Sequence, residues 1–307
     1  MTKAYRNGRE GTSGSGIHRT AALMPLLYYW RGDNHRRDLD HGVGYHLNQA
    51  NPVMHEVGLG DSLWAFTRRV DGAYALAAEL VVSAKTSNPP GYRYGQYRIW
   101  GKLGESRYFA LDGQPDITAL VRSLKVSAGG DVLGRAFQGH AAVRRLDAED
   151  HAVLSAYTQG LLPEPRARLL PEERLEALMF AGDEQAVTRL LRDEPSGLAA
   201  ERRAYLAREA VRRDRQLVLT LRDLYDGACQ LCGWAPRRCY GPDLCEAHHV
   251  HWLSRGGADD PSNLALLCPN HHRAVHKCDA QYDFGTAAFV FPAGLEKLQL
   301  SKHALAP

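Results

Sequence analysis

The sequence predicts an α+β protein of several domains, with a mainly β N-terminal domain, a helical middle segment and a small C-terminal module built around metal ligands. Three observations lead to this prediction. Short alternating apolar runs between about residues 23 and 124 are typical of strands. From about residue 147 to 225 the apolar residues recur at helical spacing. Cysteines and histidines then concentrate after residue 227, and six of the 14 histidines lie between His248 and His276.

The composition is that of an ordinary globular protein. Hydrophobic residues make up 44% and charged residues 24%, which excludes a wholly disordered chain. No apolar run approaches the roughly 18 residues that a membrane span needs, and residues 1–16 lack the apolar core of a signal peptide. We therefore expect a cytoplasmic protein without a membrane partner. In that compartment we expect its six cysteines to be metal ligands or residues without a specific role, rather than disulfide partners.

We expect four segments along the 307 residues: a disordered lead (1–16), the N-terminal domain (17–143), a helical linker (144–215) and the C-terminal module (216–307). Lys and Arg outnumber Asp and Glu by 17 to 12 in residues 1–140 and by 14 to 12 in residues 195–307, whereas residues 141–194 hold 7 against 11. Two basic ends joined by an acidic connector suit nucleic-acid binding, although ordinary solvated surfaces explain the same charges.

Turn signals and alternation place the N-terminal elements. The first strand is expected within Ala21 to Trp30. The Asp71-Gly72 pair, between the apolar runs 63–67 and 74–82, predicts a hairpin. Further strands are expected over 94–100 and 106–111, and a short helix over 116–124 with Asp116 as its N-cap.

The middle segment carries helix start signals at Asp147 and at Pro171, because aspartate caps helices well and proline fits their first turn. Apolar spacing predicts longer helices over 174–191 and 199–225, the second of them basic. We find no internal repeat, and we interpret this segment as a spacer.

The chemistry is concentrated between Cys229 and His276. Two ligand pairs share the spacing of a zinc knuckle, and they predict a closed, structural Cys3His site; the four ligands are Cys229, Cys232, Cys268 and His271. A redox motif or chance would account for one such pair, but less readily for two pairs that flank a histidine cluster. A zinc knuckle that binds DNA without cutting it is the alternative.

The remaining histidines fall on a predicted strand, loop, strand and helix. His248 and His249 lie on the first strand, where neighbouring residues face opposite sides unless the strand twists or bulges. Asn263 begins the returning strand. His272 and His276 are four residues apart, so they project from one face of the helix.

The run from Cys229 to His276 resembles the HNH, or ββα-metal, endonuclease module in the form found in McrA-type restriction enzymes. The resemblance implies that His248 and His272 bind the catalytic divalent metal, and that His276 is a third ligand or a phosphate contact. His249 would be the general base, oriented by Asn263. The last zinc position, usually cysteine in this subfamily, is a histidine here. The catalytic ion is expected to be Mg²⁺ or Mn²⁺, and histidine ligation suits Ni²⁺ or Co²⁺ as well.

The N-terminal domain resembles the PUA-like superfamily, and within it the EVE-type readers of modified bases. The similar features are Tyr28-Tyr29-Trp30, Gly60-Asp61 before an apolar strand, and the return strand 77–82. The resemblance implies a mainly β barrel with a pocket that stacks and hydrogen-bonds an extruded base. The pocket candidates are Tyr29, Trp30, His46, Asn48 and Trp64, although aromatics of this kind are more often core residues.

These features predict a modification-dependent, type IV-like DNA restriction endonuclease that acts on double-stranded DNA containing modified cytosine, either 5-methyl- or 5-hydroxymethylcytosine. Cutting two strands favours a homodimer, with the middle helices as a candidate interface. Two alternatives stay open. One is a nucleic-acid-binding protein with a degenerate nuclease. The other is an HNH nuclease whose N-terminal domain recognises RNA or an unmodified DNA sequence.

Overall fold

A computed structural model of the protein describes residues 24–126, 132–138, 142–193, 200–212 and 215–306. The lead predicted for residues 1–16 lies outside these ranges. The N-terminal strands are β1 (Leu26–Trp30), β2 (His46–Gln49), β3 (Ser62–Arg68), β4 (Tyr74–Ser87), β5 (Tyr97–Gly101), β6 (Arg107–Tyr108) and β7 (Val143–Arg145). The helices among them are α1 (Gly32–His41), α2 (Thr118–Ser123) and α3 (Leu133–Ala136).

The N-terminal strands form one curled sheet in the order β2-β5-β4-β3-β1-β7, and β6 also pairs with β4. Strand β1 runs parallel to β3, whereas the other pairs are antiparallel. The hairpin predicted at Asp71-Gly72 is confirmed as the β3–β4 connection. Among the described residues the path is open, with β2 and β7 at its ends, so the predicted barrel takes the form of a curled sheet.

Both faces of this sheet are buried. Leu26, Trp30 and Leu63 pack on one side with Leu39 of α1. Leu27 and Trp64 face the opposite side, where they pack against the following helices. Because successive strand residues alternate between faces, one strand contributes to two apolar cores.

The middle segment is helical, as predicted. Its elements are α4 (Ala148–Tyr157), α5 (Glu172–Ala181), α6 (Glu184–Asp193), α7 (Ala200–Arg212) and α8 (Arg215–Leu224). The start signals are confirmed, since the Asp147 side chain accepts a hydrogen bond from the Asp150 amide at 2.8 Å and α5 begins directly after Pro171. The single helix predicted over 174–191 is wrong. Gly182 adopts a left-handed conformation with φ of 69°, which ends α5 before α6 begins.

The C-terminal module contains α9 (Pro236–Tyr240), β8 (Glu246–His249), β9 (Leu264–Leu267), α10 (Pro269–Cys278), β10 (Gln281–Asp283), β11 (Ala288–Phe291) and β12 (Gly294–Lys297). Strands β8 and β9 form an antiparallel pair followed by α10, which confirms the predicted strand, loop, strand and helix. The module contacts the N-terminal sheet where the Phe284 amide donates to the Ser87 carbonyl at 3.1 Å. Within the described ranges, no helix is long and apolar enough to cross a membrane.

Candidate active site

The loop between β8 and β9 is held by Asn263. Its Oδ1 accepts a hydrogen bond from the His251 amide at 2.7 Å, and its Nδ2 donates to the carbonyls of His251 and Ala258 at 2.8 and 2.7 Å. The side chain is buried, with 4% of its surface exposed. Asn263 therefore fixes the loop that follows His249, an arrangement compatible with the orienting role predicted for it.

The cysteine group brings together the four predicted zinc ligands. One ligand atom from each of Cys229, Cys232, Cys268 and His271 lies within 4.8 Å of all the others. The Nδ1 atom of His271 is 3.2 Å from the Cys268 sulfur and 3.6 Å from the Cys229 sulfur. Three thiols and one imidazole are the donor set of a tetrahedral structural zinc site. This group can therefore hold zinc.

The other three cysteines lie outside that group. Cys239 and Cys278 are exposed, whereas Cys245 is buried with its sulfur 3.9 Å from the Trp234 carbonyl. Burial raises the pKa of both the Cys229 and Cys245 thiols to about 12. Without a cation, Cys229 therefore stays protonated, and zinc binding has to displace its proton.

The predicted catalytic histidines converge on a carboxylate that the sequence analysis missed. Glu176, in α5, is fully buried. Its Oε2 lies 2.8 Å from His276 Nε2, 3.0 Å from His272 Nε2 and 3.4 Å from His248 Nδ1. These three histidines and Glu176, hereafter the histidine cluster, offer ligand atoms that all lie within 4.8 Å of one another. The structure thus brings the predicted metal ligands together around Glu176.

His249 lies between two carboxylates. Its Nδ1 is 2.9 Å from Glu176 Oε1, its Nε2 is 2.8 Å from Asp259 Oδ1, and its ring stacks on Phe180 with centroids 5.5 Å apart. Burial alone lowers the pKa of His249, but its hydrogen bonds to Asp259 and Glu176 outweigh burial and raise that pKa to about 9. His249 therefore carries a positive charge near neutrality in the absence of metal and DNA.

The pKa values of the neighbouring histidines diverge. Burial lowers the pKa of His248 to about 4, so this imidazole is neutral, the form in which histidine binds metals. Burial also opposes protonation of His272, yet its hydrogen bond to Glu176 and the nearby Glu246 raise its pKa overall. The site thus combines a neutral imidazole, His248, with His272, whose raised pKa lets it compensate the negative charge of Glu176.

Helix α5 is tied to the module by a second buried glutamate. The two carboxylate oxygens of Glu172 accept hydrogen bonds from the amides of Leu253 and Ser254 at 2.6 and 2.7 Å. Burial raises the pKa of Glu172, and the neighbouring Glu176 raises it further. The middle segment was interpreted as a spacer, and that interpretation is wrong because α5 supplies polar groups to the active-site region.

A sequence signal for Glu176 existed. The buried residues of α5 are Glu172, Leu175, Glu176 and Met179. Their spacing is that of one inward-facing helical stripe, and glutamate is rarely buried without a partner. Two glutamates within such a stripe therefore indicate a buried polar partner. Asp259 carried no comparable signal, because it lies in an irregular loop among other polar residues.

The five residues predicted to read a base do not share one pocket. Trp30, His46 and Asn48 line a cavity of about 410 Å³ beside α1. Tyr29 lies on the other face of the sheet, 5.2 Å from the Phe66 ring. Trp64 is fully buried on that same face, and its Nε1 donates to His151 at 3.0 Å.

The cavity lies where the sheet meets the module. Its lining also includes Tyr28, Arg37, Tyr92, Tyr94 and, from the module, Arg255. The Arg255 guanidinium carbon is 4.5 Å from the Trp252 ring centroid and 5.5 Å from that of Trp100. Its Nη2 donates to Asp279 at 2.8 Å, whereas Nε and Nη1 are buried without a hydrogen-bond partner. Arg255 thus places a positive charge where the sheet meets the module.

Comparison with known proteins identifies the module. Residues 229–277 match the family model for HNH endonucleases. This part of the chain is therefore an HNH endonuclease domain. Over 52 residues the chain is 48% identical to the type IV methyl-directed restriction enzyme EcoKMcrA of Escherichia coli (strain K12). That match, a McrA-type relative over the HNH region, covers 16% of this chain and 19% of the relative.

A comparison of structures pairs the chain with the type IV phosphorothioation-dependent restriction endonuclease ScoMcrA at 14% identity. The pairing covers 87% of this chain and 48% of that one, with a TM-score of 0.18, too low to support a statement about shared fold. The chain thus spans less than two thirds of the length of either protein. The PUA-like character of the N-terminal domain stays a prediction.

Proposed function

We propose that the protein is a metal-dependent DNA endonuclease of the type IV restriction class, which cleaves double-stranded DNA that carries a modified base. The observation that carries this proposal is the convergence of His248, His272 and His276 inside an HNH endonuclease domain. A zinc knuckle that only binds DNA would not need three histidines gathered at one buried point, nor a fourth histidine braced between two carboxylates.

The histidine cluster fits a divalent cation. Both ring nitrogens of His248 are buried without a hydrogen-bond partner, which is costly unless another group binds them. His248, His272 and His276 would hold the ion. When bound, it would neutralise charge that develops on the phosphate during cleavage. Imidazole donors suit Mn²⁺, Co²⁺ or Ni²⁺, whereas Mg²⁺ prefers oxygen donors.

His249 is the proposed general base. Both ring nitrogens lie at hydrogen-bond distance from a carboxylate, Nε2 from Asp259 and Nδ1 from Glu176, and loss of the Nδ1 proton would give the neutral tautomer that can act as a base. That Nδ1 faces Glu176 and the histidine cluster, where a water molecule would be activated. Asn263 holds the loop that carries Asp259 through its bond to the Ala258 carbonyl, so it acts as a positioning residue.

Base recognition is assigned to the cavity of about 410 Å³, which is large enough for a nucleobase. Trp30 and Tyr92 offer aromatic surfaces and Arg255 adds a positive charge. Asn48 offers its amide nitrogen, because its oxygen already accepts hydrogen bonds from Asn88 and Arg98. Stacking and edge hydrogen bonds are what an extruded base requires. We propose a modified cytosine, 5-methyl or 5-hydroxymethyl, as the base read there. A homodimer would supply one active site for each strand.

The test is digestion of matched DNA duplexes that contain cytosine, 5-methylcytosine, 5-hydroxymethylcytosine or 6-methyladenine. We expect Mn²⁺-dependent cleavage of a modified-cytosine duplex and slower cleavage of plain DNA. The Asn48→Ala variant should reduce this preference. The matched control is Gln49→Ala, the next residue of the same strand, which does not line the cavity.

Equal cleavage of all four duplexes by the unaltered protein would show that it does not recognise a modified base. The protein would then be a nuclease that acts on unmodified DNA. Binding of DNA without cleavage under any of the divalent metals would instead favour a binding protein with a degenerate nuclease.

A further inference from the structure

Glu176 lies outside the HNH domain, unlike the predicted metal ligands. It belongs to α5, about 50 residues before the matched HNH domain begins at residue 229. Its carboxylate is fully buried, and within the described part of the chain it pairs with the four histidines of the site and with no lysine or arginine. A buried carboxylate in such surroundings is either neutralised or bound to a cation.

The separations within the cluster resemble the edges of a coordination shell. Two ligands that each bind a cation at about 2.1 Å lie about 3.0 Å apart in an octahedron and about 3.4 Å apart in a tetrahedron. Glu176 Oε2 is 2.8, 3.0 and 3.4 Å from the three imidazole nitrogens, and the Nε2 atoms of His272 and His276 are 3.2 Å apart. These four separations match such a shell, and all four ligand atoms lie within 4.8 Å of one another.

Hydrogen bonding does not satisfy every member of this group. The Nε2 atoms of His272 and His276 lie 3.2 Å apart and both reach the same oxygen, to which each can donate a proton when no metal is bound. His248 contributes a third nitrogen that has no hydrogen-bond partner. One shared cation would satisfy all three nitrogens and the carboxylate together.

We propose that Glu176 is a fourth protein ligand of the catalytic cation and completes a three-histidine, one-carboxylate site. This inference rests on the proposed three-histidine metal site and extends it to a helix outside the HNH domain. Glu172 is then a positioning residue, because its hydrogen bonds to the amides of Leu253 and Ser254 hold α5 against the module. The cation in turn joins the middle segment to the nuclease.

The ligand set has a consequence for metal choice. Three neutral imidazoles with one carboxylate favour Mn²⁺, Co²⁺ and Ni²⁺ over Mg²⁺. The carboxylate removes one unit of the cation's positive charge, and its second oxygen still accepts from the His249 amide at 2.7 Å. One oxygen of Glu176 would thus bind the cation, while the other is hydrogen-bonded to the strand that carries His249.

The test measures Mn²⁺ affinity of the full chain, with zinc retained in the cysteine group, from the electron paramagnetic resonance signal of free Mn²⁺. We expect Glu176→Gln to weaken binding at least about 10-fold, the smallest loss typical of groups around a metal. The matched control is Glu173→Gln, on the same helix but with its side chain 52% exposed. It should bind Mn²⁺ as the unaltered chain does.

Unchanged or tighter Mn²⁺ binding by Glu176→Gln would overturn the inference. His272→Ala separates this failure from a failure of the proposed function. If His272→Ala loses Mn²⁺ and Glu176→Gln does not, the three-histidine site stands without Glu176. If the unaltered chain binds no Mn²⁺, both proposals fail.

A second measurement applies if Glu176→Gln does not fold. In crystals of the unaltered full chain soaked in Mn²⁺, the anomalous peak should lie about 2.0–2.2 Å from a Glu176 oxygen, the distance of a carboxylate ligand. A peak bound by the histidines but more than about 3.5 Å from that carboxylate, beyond any coordination bond, would overturn the inference.

Discussion

Histidines have opposite surroundings in the HNH module and in the N-terminal sheet. In the module, His249, His272 and His276 each face the carboxylate of Glu176. In the sheet, His46 lies 4.7 Å from the Trp100 ring, near the Arg98 guanidinium. The pKa of His46 falls to about 3 through burial, whereas that of His249 rises to about 9 because its hydrogen bonds to two carboxylates outweigh burial.

This difference separates the histidines that can be protonated near neutrality from those that stay neutral. An imidazole beside aromatic rings and a positively charged guanidinium stays neutral, because burial and the like charge both disfavour its protonated form. An imidazole beside a buried carboxylate can hold a proton or exchange it for a metal. Within the described residues the sheet has two apolar cores, whereas the module combines an apolar cluster with the cysteine group and with the three histidines that could hold a metal ion. The module should therefore depend on ions far more than the sheet does.

The largest expected effect comes from removing the structural zinc. Cys229→Ser should lose zinc and leave the module unfolded or the chain insoluble, because zinc contributes about 10–16 kcal/mol to folds that depend on it. Zinc content and thermal unfolding are the measurements. The exposed Cys278→Ser variant, outside the cysteine group, serves as the control. A Cys229→Ser protein with normal zinc content and melting temperature would refute the ligand assignment.

The next effect concerns chemistry and leaves the fold intact. His249→Ala should lower the cleavage rate about 10²–10⁴-fold, the usual loss for a general base, with zinc content and DNA affinity unchanged. Asn263→Ala should cause a smaller loss, since it acts through the loop. His251 is the other candidate base, but its ring faces His46 at 5.5 Å. Activity that survives in His249→Ala and disappears in His251→Ala would move the base to His251.

Much of the module could be predicted because its ligands are coded by short, fixed spacings. Pairs such as Cys229 with Cys232, or His272 with His276, come together through local geometry alone. Glu176 and Asp259 could not be found in this way. They reach the site through tertiary packing, and no spacing between residues of the HNH domain indicates that they lie there.

The pocket candidates were harder to predict because both faces of the N-terminal sheet are buried. Tyr29 and Trp30 are neighbours and so face opposite sides. Where one face is solvated, alternation of polar and apolar residues tells the two sides apart. Here Leu26 and Leu27 are equally apolar and equally buried, so the sequence does not indicate which face borders the cavity. The structure assigns Trp30 to the cavity side and Tyr29, with Trp64, to the other core.

The smallest effect is a pH dependence that comes from the neutral histidine of the sheet. The pKa of His46 is about 3 in the folded chain because of burial, and then because of the nearby Arg98; in an unfolded chain a histidine titrates near 6.5. Between these values the unfolded state binds more protons, so the free energy of unfolding falls as pH decreases below about 6.5. His46 contributes at most about 1.4 kcal/mol per pH unit to this slope. Urea unfolding at pH 7 and pH 5 should therefore show a smaller loss of stability in His46→Phe than in the unaltered chain. An identical loss in both proteins would show that His46 titrates in the folded sheet as it does in the unfolded chain, and the contrast with the module would lose its electrostatic basis.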